Sequence, residues 1–190
     1  MLYYISLGTL FNEHPEFYRH CFAAFANSMY QVVLSVGHKT PLSSLGDIPP
    51  KFIVQNYVPQ LEILQRANVF ISHGGMNSVS EALYYGVPLL VIPQSADQPW
   101  VAKRVAQLGA GKLLPRTRAT PGTLQRITGE ILTNPSYAQA SVHIGETLRQ
   151  AGGYQCAADE IQRFILNASH YTPPAAASRG KVLLQKLASL

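Results

Sequence analysis

Val69-Phe70-Ile71-Ser72-His73-Gly74-Gly75-Met76-Asn77-Ser78-Val79-Ser80-Glu81-Ala82 is an apolar run that halts at a His-Gly-Gly turn and resumes at once in helical spacing. The first four residues predict a buried strand, and Met76 to Tyr85 predict a helix. The glycines let the backbone turn sharply and approach a ligand closely. The unpaired N–H groups of the new helix carry partial positive charge, so the junction suits a diphosphate.

The same logic extends outward in both directions. Leu2 to Leu7 predicts a strand ending in Ser6-Leu7-Gly8-Thr9, followed by a helix from Pro15 to Met29 whose apolar positions are Phe17, Cys21, Phe22, Phe25 and Met29. Strands are expected at Val32 to Ser35, Phe52 to Asn56, Leu89 to Ile92 and Lys112 to Leu114. Helices are expected at Gln60 to Arg66, Gln98 to Leu108, Pro121 to Thr133, Pro135 to Ala151 and Gln155 to Asn167, with proline opening two of them. Alternation of this kind predicts an α/β fold: a single Rossmann-like domain with a parallel sheet and helices on both faces. The domain is expected over residues 1–167. Residues 168–190, rich in proline and alanine and then carrying Val182, Leu183, Leu187 and Leu190, read as a tail or linker with a short helix or an appended remnant.

Bulk properties narrow the function. The chain has 190 residues, 47% hydrophobic and 13% charged, enough for a full core. The formal charge is +5, but Arg179, Lys181 and Lys186 supply three of those charges, leaving +2 for the rest and no indication of nucleic-acid binding. Cys21 and Cys156 lie in apolar helical patterns rather than in ligand spacing, so both read as small buried hydrophobes in a reducing cytoplasm. No run reaches the length of a membrane span, and the start lacks the features of a signal peptide.

Ligands of an open parallel sheet lie beyond the carboxyl ends of its strands. Four segments place unusual residues there and should outline one crevice: Ser6 to Thr9, Asn56 to Gln60, Ser72 to Asn77 and Gln94 to Gln98. From Leu2 to Asn167, and above all in His73-Gly74-Gly75-Met76-Asn77-Ser78 through Asp97-Gln98, the chain resembles the carboxyl-terminal, donor-binding half of UDP-dependent glycosyltransferases with two facing Rossmann-like domains (the GT-B fold). Within these it is most similar to the bacterial macrolide-glycosyltransferase group.

The resemblance implies a role for each matching position. Tyr57 would stack on uracil, the backbone at Val58 would pair with the base edge, and Gln60 and Glu81 would meet the ribose. His73, Gly75, Asn77 and Ser78, with Thr9 from the first loop, would hold the diphosphate. Asp97 and Gln98 would hold hydroxyls of the transferred sugar; where Val101 stands the family usually has asparagine. Several of these residues also have plainer readings. Tyr57 could cap the core beside Pro59, and His73 could be a histidine satisfied at a strand end. Ser78-Val79-Ser80-Glu81 spells a capping box, Asp97 could be an N-cap, and Thr9 could belong to an ordinary turn.

The resemblance further implies inverting transfer from a UDP-sugar to an acceptor hydroxyl, with no metal or cofactor. The general base and the acceptor site would belong to an amino-terminal half or a partner chain. The remaining histidines, His14, His20, His38, His143 and His170, show no acid/base spacing, so no catalytic residue is assigned here. By itself the domain is expected to bind UDP or a UDP-sugar with little turnover, and its exposed cleft wall invites a partner chain or self-association. Two other readings are a non-catalytic nucleotide-sugar binding module and the donor subunit of a two-chain GlcNAc transferase.

Overall fold

The computed structural model describes residues 1–168. Six strands form one parallel sheet: β1 (Leu2–Ser6), β2 (Gln31–Ser35), β3 (Phe52–Gln55), β4 (Val69–Ser72), β5 (Leu89–Val91) and β6 (Gly111–Leu113), in the spatial order β3-β2-β1-β4-β5-β6. Between them run α1 (Pro15–Phe25), α2 (Gln60–Leu64), α3 (Met76–Tyr84) and α4 (Gln98–Gln107), and after them α5 (Pro121–Thr133) and α6 (Pro135–Gln150). The α/β alternation expected from the sequence is the observed one, with element ends shifted by a residue or a few.

Successive strand residues point to opposite faces; in β1, β2, β4 and β5 both faces are covered and the strands are mostly apolar, whereas edge strand β3 alternates buried and exposed residues. Tyr3, Ile5, Val32, Leu34, Val69 and Ile71 pack on one side with the apolar stripes of α1 and α5. Tyr4, Val33, Phe70, Leu89 and Val91 pack on the other with Val79, Ala82 and Leu83 of α3 and Val101, Ala102 and Val105 of α4. Helix α5 begins as its sequence predicts: the Thr120 hydroxyl accepts a hydrogen bond from the Thr123 N–H, and Pro121 occupies the first turn.

Two expectations need correction. Helix α1 stops at Phe25 rather than reaching Met29, because the chain turns through Asn27 and Ser28, where the Ser28 N–H bonds the Phe25 carbonyl. Met29 is consequently 81% exposed instead of joining the core stripe. Cys21 is buried as expected, but Cys156 is exposed. Cys156 lies on α7 (Gly153–Ala168), which belongs to a second compact unit beginning at Ala151, whereas the first unit closes at Gln150. The expected domain limit at residue 167 included this helix. Residues 169–190, and with them the expected tail helix and His170, lie outside the described residues.

Strand order reverses direction at β1 and β4: the chain moves from β1 outward to β2 and β3, then returns to place β4 on the other side of β1. Such a switch point parts the loops on either side and opens a crevice at the carboxyl ends. Ser6 of β1 and Ser72 of β4 are register partners there, and Ser35 of β2 pairs with Ser6 from the other side.

Candidate functional site

The two switch-point strands end alike. The Ser6 hydroxyl accepts from the Gly8 N–H at 3.2 Å, and the Ser72 hydroxyl accepts from the Gly74 N–H at 3.1 Å. Each serine thereby turns the chain away from its strand by a local side-chain bond. Gly8 (φ +76°) and Gly74 (φ +89°) adopt the left-handed conformation that such turns need.

The turns bring His73 between two glycines. A Cβ built on Gly8 would fall 2.6 Å from His73 Cε1, and one built on Gly75 would fall 2.5 Å from Nε2. The imidazole therefore fills the space two side chains would have taken. His73 Nδ1 is buried with no hydrogen-bond partner. Burial pushes the ring below its ordinary pKa. The Ser6 backbone, near but outside hydrogen-bond geometry, and the charge of Asp97 pull in the other direction. A depressed, half-buried imidazole is neutral at neutral pH and gains most from an anion placed beside it. Helix α3 starts at Met76 with Gly75 as its cap and no capping side chain, so its first N–H groups stay open to a ligand.

A cleft of about 930 Å³ lies over this junction, lined by loops after β1, β2, β3 and β4. Of the residues singled out in the sequence, it gathers Thr9, Tyr57, Val58, Gln60, His73, Gly75, Asn77, Ser78 and Glu81. Tyr57 is 73% exposed, which removes its reading as a core cap. The capping-box reading of Glu81 also fails: the cap is Gly75, so Ser78 is already the third residue of the helix. Glu81 instead accepts a hydrogen bond from Gln60 Nε2 at 2.6 Å.

Asp97 and Gln98 do not line this cleft. Strand β5 stands beyond β4, so the loop that carries them flanks the His73-Gly74 turn from the side opposite β2 and β3: the charge of Asp97 acts on the His73 ring, and Gln98 lies against Gly74. Asp97 occupies the cap position of α4 but makes no capping bond, and it follows Ala96, the only non-glycine residue with positive φ (57°) among those described. Gln98 is buried; its Oε1 accepts the N–H groups of Gln94 at 2.8 Å and Ser95 at 3.1 Å and so ties down this left-handed loop. Val101 is buried against the sheet.

The cleft also contains residues that sequence reasoning missed. Asn12 is buried, its amide N–H reaches the Gly8 carbonyl at 2.8 Å, and its Oδ1 has no partner. Lys39 and His38 enter from the loop after β2. Tyr4 reaches the wall from inside β1. The one available signal for Tyr4 was its hydroxyl, which requires a partner in an otherwise apolar strand. Outside the cleft, His14 pairs with Arg116 (Nε2 to Nη1, 2.9 Å) and is likewise held below its ordinary pKa, by burial first and by the guanidinium second. Among the described residues no cluster of His, Cys, Asp and Glu could hold a metal, and no helix is long and apolar enough to cross a membrane.

Comparison with known proteins agrees with this architecture. Residues 21–153 match the family described as Erythromycin biosynthesis protein CIII-like, C-terminal domain. The chain is 46% identical over 158 residues to an uncharacterized UDP-glucosyltransferase, YojK, of Bacillus subtilis, covering 83% of this chain and 39% of that protein. It is 34% identical to the oleandomycin glycosyltransferase of Streptomyces antibioticus, over 83% of this chain and 37% of the relative. Among solved structures, the kitacinnamycin glycotransferase superposes with a TM-score of 0.81 at 36% identity, covering 85% of this chain and 42% of that one. The calicheamicin glycosyltransferase CalG4 superposes with a TM-score of 0.84 at 29% identity, covering 90% and 44%. The chain thus spans about two fifths of the length of these relatives. With the switch-point cleft, the His-Gly-Gly junction and a family match over most of its length, this chain belongs to the erythromycin biosynthesis protein CIII-like C-terminal domain family and carries the carboxyl-terminal, donor-binding type of domain of GT-B glycosyltransferases.

Proposed function

We propose that the domain holds a UDP-sugar for inverting transfer to an acceptor hydroxyl presented by a second domain or a partner chain. The observation that carries this reading is the His73 imidazole, wedged between Gly8 and Gly75 beside the uncapped start of α3. In this reading the pyrophosphate lies against the N–H groups of Met76, Asn77 and Ser78, with Thr9 from the facing loop. Uracil stacks on exposed Tyr57, and Glu81 accepts from the ribose. Oriented N–H groups and a helix dipole neutralise the departing phosphate without reorganising, which is the share of catalysis this domain would supply; no metal is needed for it.

As the acceptor oxygen attacks the anomeric carbon, the bond to the β-phosphate oxygen breaks and UDP carries away its electron pair. His73, neutral beforehand, can donate a hydrogen bond from its ring N–H to that charge. The base that receives the acceptor's proton lies elsewhere. Asp97 is exposed and Gln98 has committed its carbonyl oxygen to the loop, so only the Gln98 amide N–H groups and the Asp97 carboxylate are suited to meet sugar hydroxyls. The likeness to bacterial glycosyltransferases supports placing this domain in the cytoplasm.

Calorimetric titration with UDP, UDP-glucose, UDP-GlcNAc and TDP-sugars tests the proposal on the wild type and on His73→Ala. UDP should bind with roughly −4 to −8 kcal/mol, millimolar to micromolar, and the variant should lose at least about tenfold. No heat with any nucleotide refutes the nucleotide-sugar site, and unchanged affinity in His73→Ala refutes the assigned role of the imidazole.

A further inference from the structure

Tyr4 lies in the middle of β1, 1% exposed, opposite Phe70 in the parallel register, and the two rings stack with centroids 4.5 Å apart and planes 14° from parallel. A cross-strand stack of this kind fixes the ring plane and therefore the position of the hydroxyl. That hydroxyl donates to Gln60 Oε1 at 2.9 Å. The amide of Gln60 then points its nitrogen the other way, donating to Glu81 Oε2 at 2.6 Å and to the Ser78 hydroxyl at 3.3 Å.

The polarity of this chain is forced from both ends. An ionised carboxylate only accepts, so Glu81 demands the nitrogen side of the amide. The oxygen side must then face Tyr4, whose single proton satisfies it. Burial pushes the Tyr4 phenol well above its ordinary pKa, so it stays protonated and remains a donor. Both N–H groups of Gln60 are thereby in use, and its oxygen keeps one free lone pair. The second oxygen of Glu81, by contrast, makes no hydrogen bond among the described residues, and Glu81 lines the cleft.

We propose that Tyr4 is a positioning residue which, acting through Gln60, aims the Glu81 carboxylate at the ribose hydroxyls and so makes the site select ribonucleotide over deoxyribonucleotide sugars. The proposal rests on the nucleotide-site reading above and deepens it. In it, the order of action runs from the core outward: stacked ring, hydroxyl, amide, carboxylate, ligand.

The test compares UDP with 2′-deoxy-UDP by calorimetry on wild type, Tyr4→Phe and Gln60→Leu. Tyr4→Phe keeps the ring that stacks on Phe70, so it should fold. The wild type is expected to prefer UDP. In Tyr4→Phe, affinity for 2′-deoxy-UDP should stay within about twofold while affinity for UDP falls by about three- to tenfold, the range of one hydrogen bond, so that the preference collapses. Gln60→Leu, altered on the cleft wall and not in the core, should show the same collapse. If both variants keep the wild-type ratio, or lose both ligands equally, Tyr4 has no positioning role. Binding of neither nucleotide by the wild type would overturn the nucleotide site itself.

Discussion

Gly75→Ala isolates the imidazole from every other feature of the site. Gly75 has φ −62° and ψ 136°, which any residue can adopt, so the substitution meets no backbone strain. Its obstacle is the His73 ring: the new Cβ would stand 2.5 Å from Nε2 and 3.1 Å from Cε1, so the ring or the first turn of α3 has to move by about 1 Å to restore ordinary contact. Retreat is blocked on the far side by Gly8, whose missing Cβ the same ring already occupies. Two opposing stability effects nearly cancel. Alanine in an allowed conformation restricts the unfolded chain, worth about 0.4–1 kcal/mol, while alanine is a poorer helix cap than glycine by a similar amount. The crowding against a ring that cannot retreat remains, and should cost about 1–3 kcal/mol of stability. Displacing a hydrogen bond to a charged phosphate costs about 1.5–3 kcal/mol, which is about 10- to 150-fold in UDP affinity. Calorimetry with UDP, urea unfolding of the same samples and a double-mutant cycle with His73→Ala measure each quantity, and Gly75→Ala should cost nothing further once the imidazole is gone. Affinity within twofold of wild type, or an equal loss in the His73→Ala background, refutes the reasoning.

The titration of His73 and the surroundings of other glycines have consequences of their own. Because burial lowers the His73 pKa in the folded protein, the unfolded chain takes up its proton first on acidification. The contribution of this residue to stability is therefore whole above about pH 6.5 and is lost as pH falls through the lower folded value. Urea unfolding at pH 8 and pH 5 should show a larger acid loss for wild type than for His73→Gln. Glycines elsewhere should divide by their surroundings. In α5, a Cβ on Gly129 would meet nothing within 4 Å, so Gly129→Ala should stabilise by about 0.5–1 kcal/mol. A Cβ on Gly111 would fall 2.0 Å from the Leu89 carbonyl oxygen of the neighbouring strand, so Gly111→Ala should unpair β6 from β5 and lower the melting temperature sharply.

Much of this protein could be read from neighbouring residues alone. Alternating apolar strands and 3.6-period helices, punctuated by Gly and Pro, are local signals, and they specify the α/β architecture and the strand-to-helix junction at His73. The glycines at 8, 74 and 75 announced tight turns. What they could not announce was that Gly8 and Gly75, 67 positions apart, clasp one ring, because that depends on β1 and β4 lying side by side.

Ambiguities in the sequence were resolved by three-dimensional placement. Ser78 and Glu81 have the spacing of a capping box, and only the helix start at Met76 shows that they are not one. Gln98 looks like a residue free to grip a ligand until its oxygen is found holding the 94–95 backbone. Tyr4 looks like core until its hydroxyl is traced to Gln60, 56 residues away. Composition and periodicity act over one or two turns of chain, so the sequence by itself determined the elements, their order and the phosphate-type turn. The parallel register at the β1/β4 switch point decided which side chains meet. Hydrogen-bond partners, the burial that lowers the His73 pKa and the outline of the cleft are sums over residues that only the folded sheet makes neighbours.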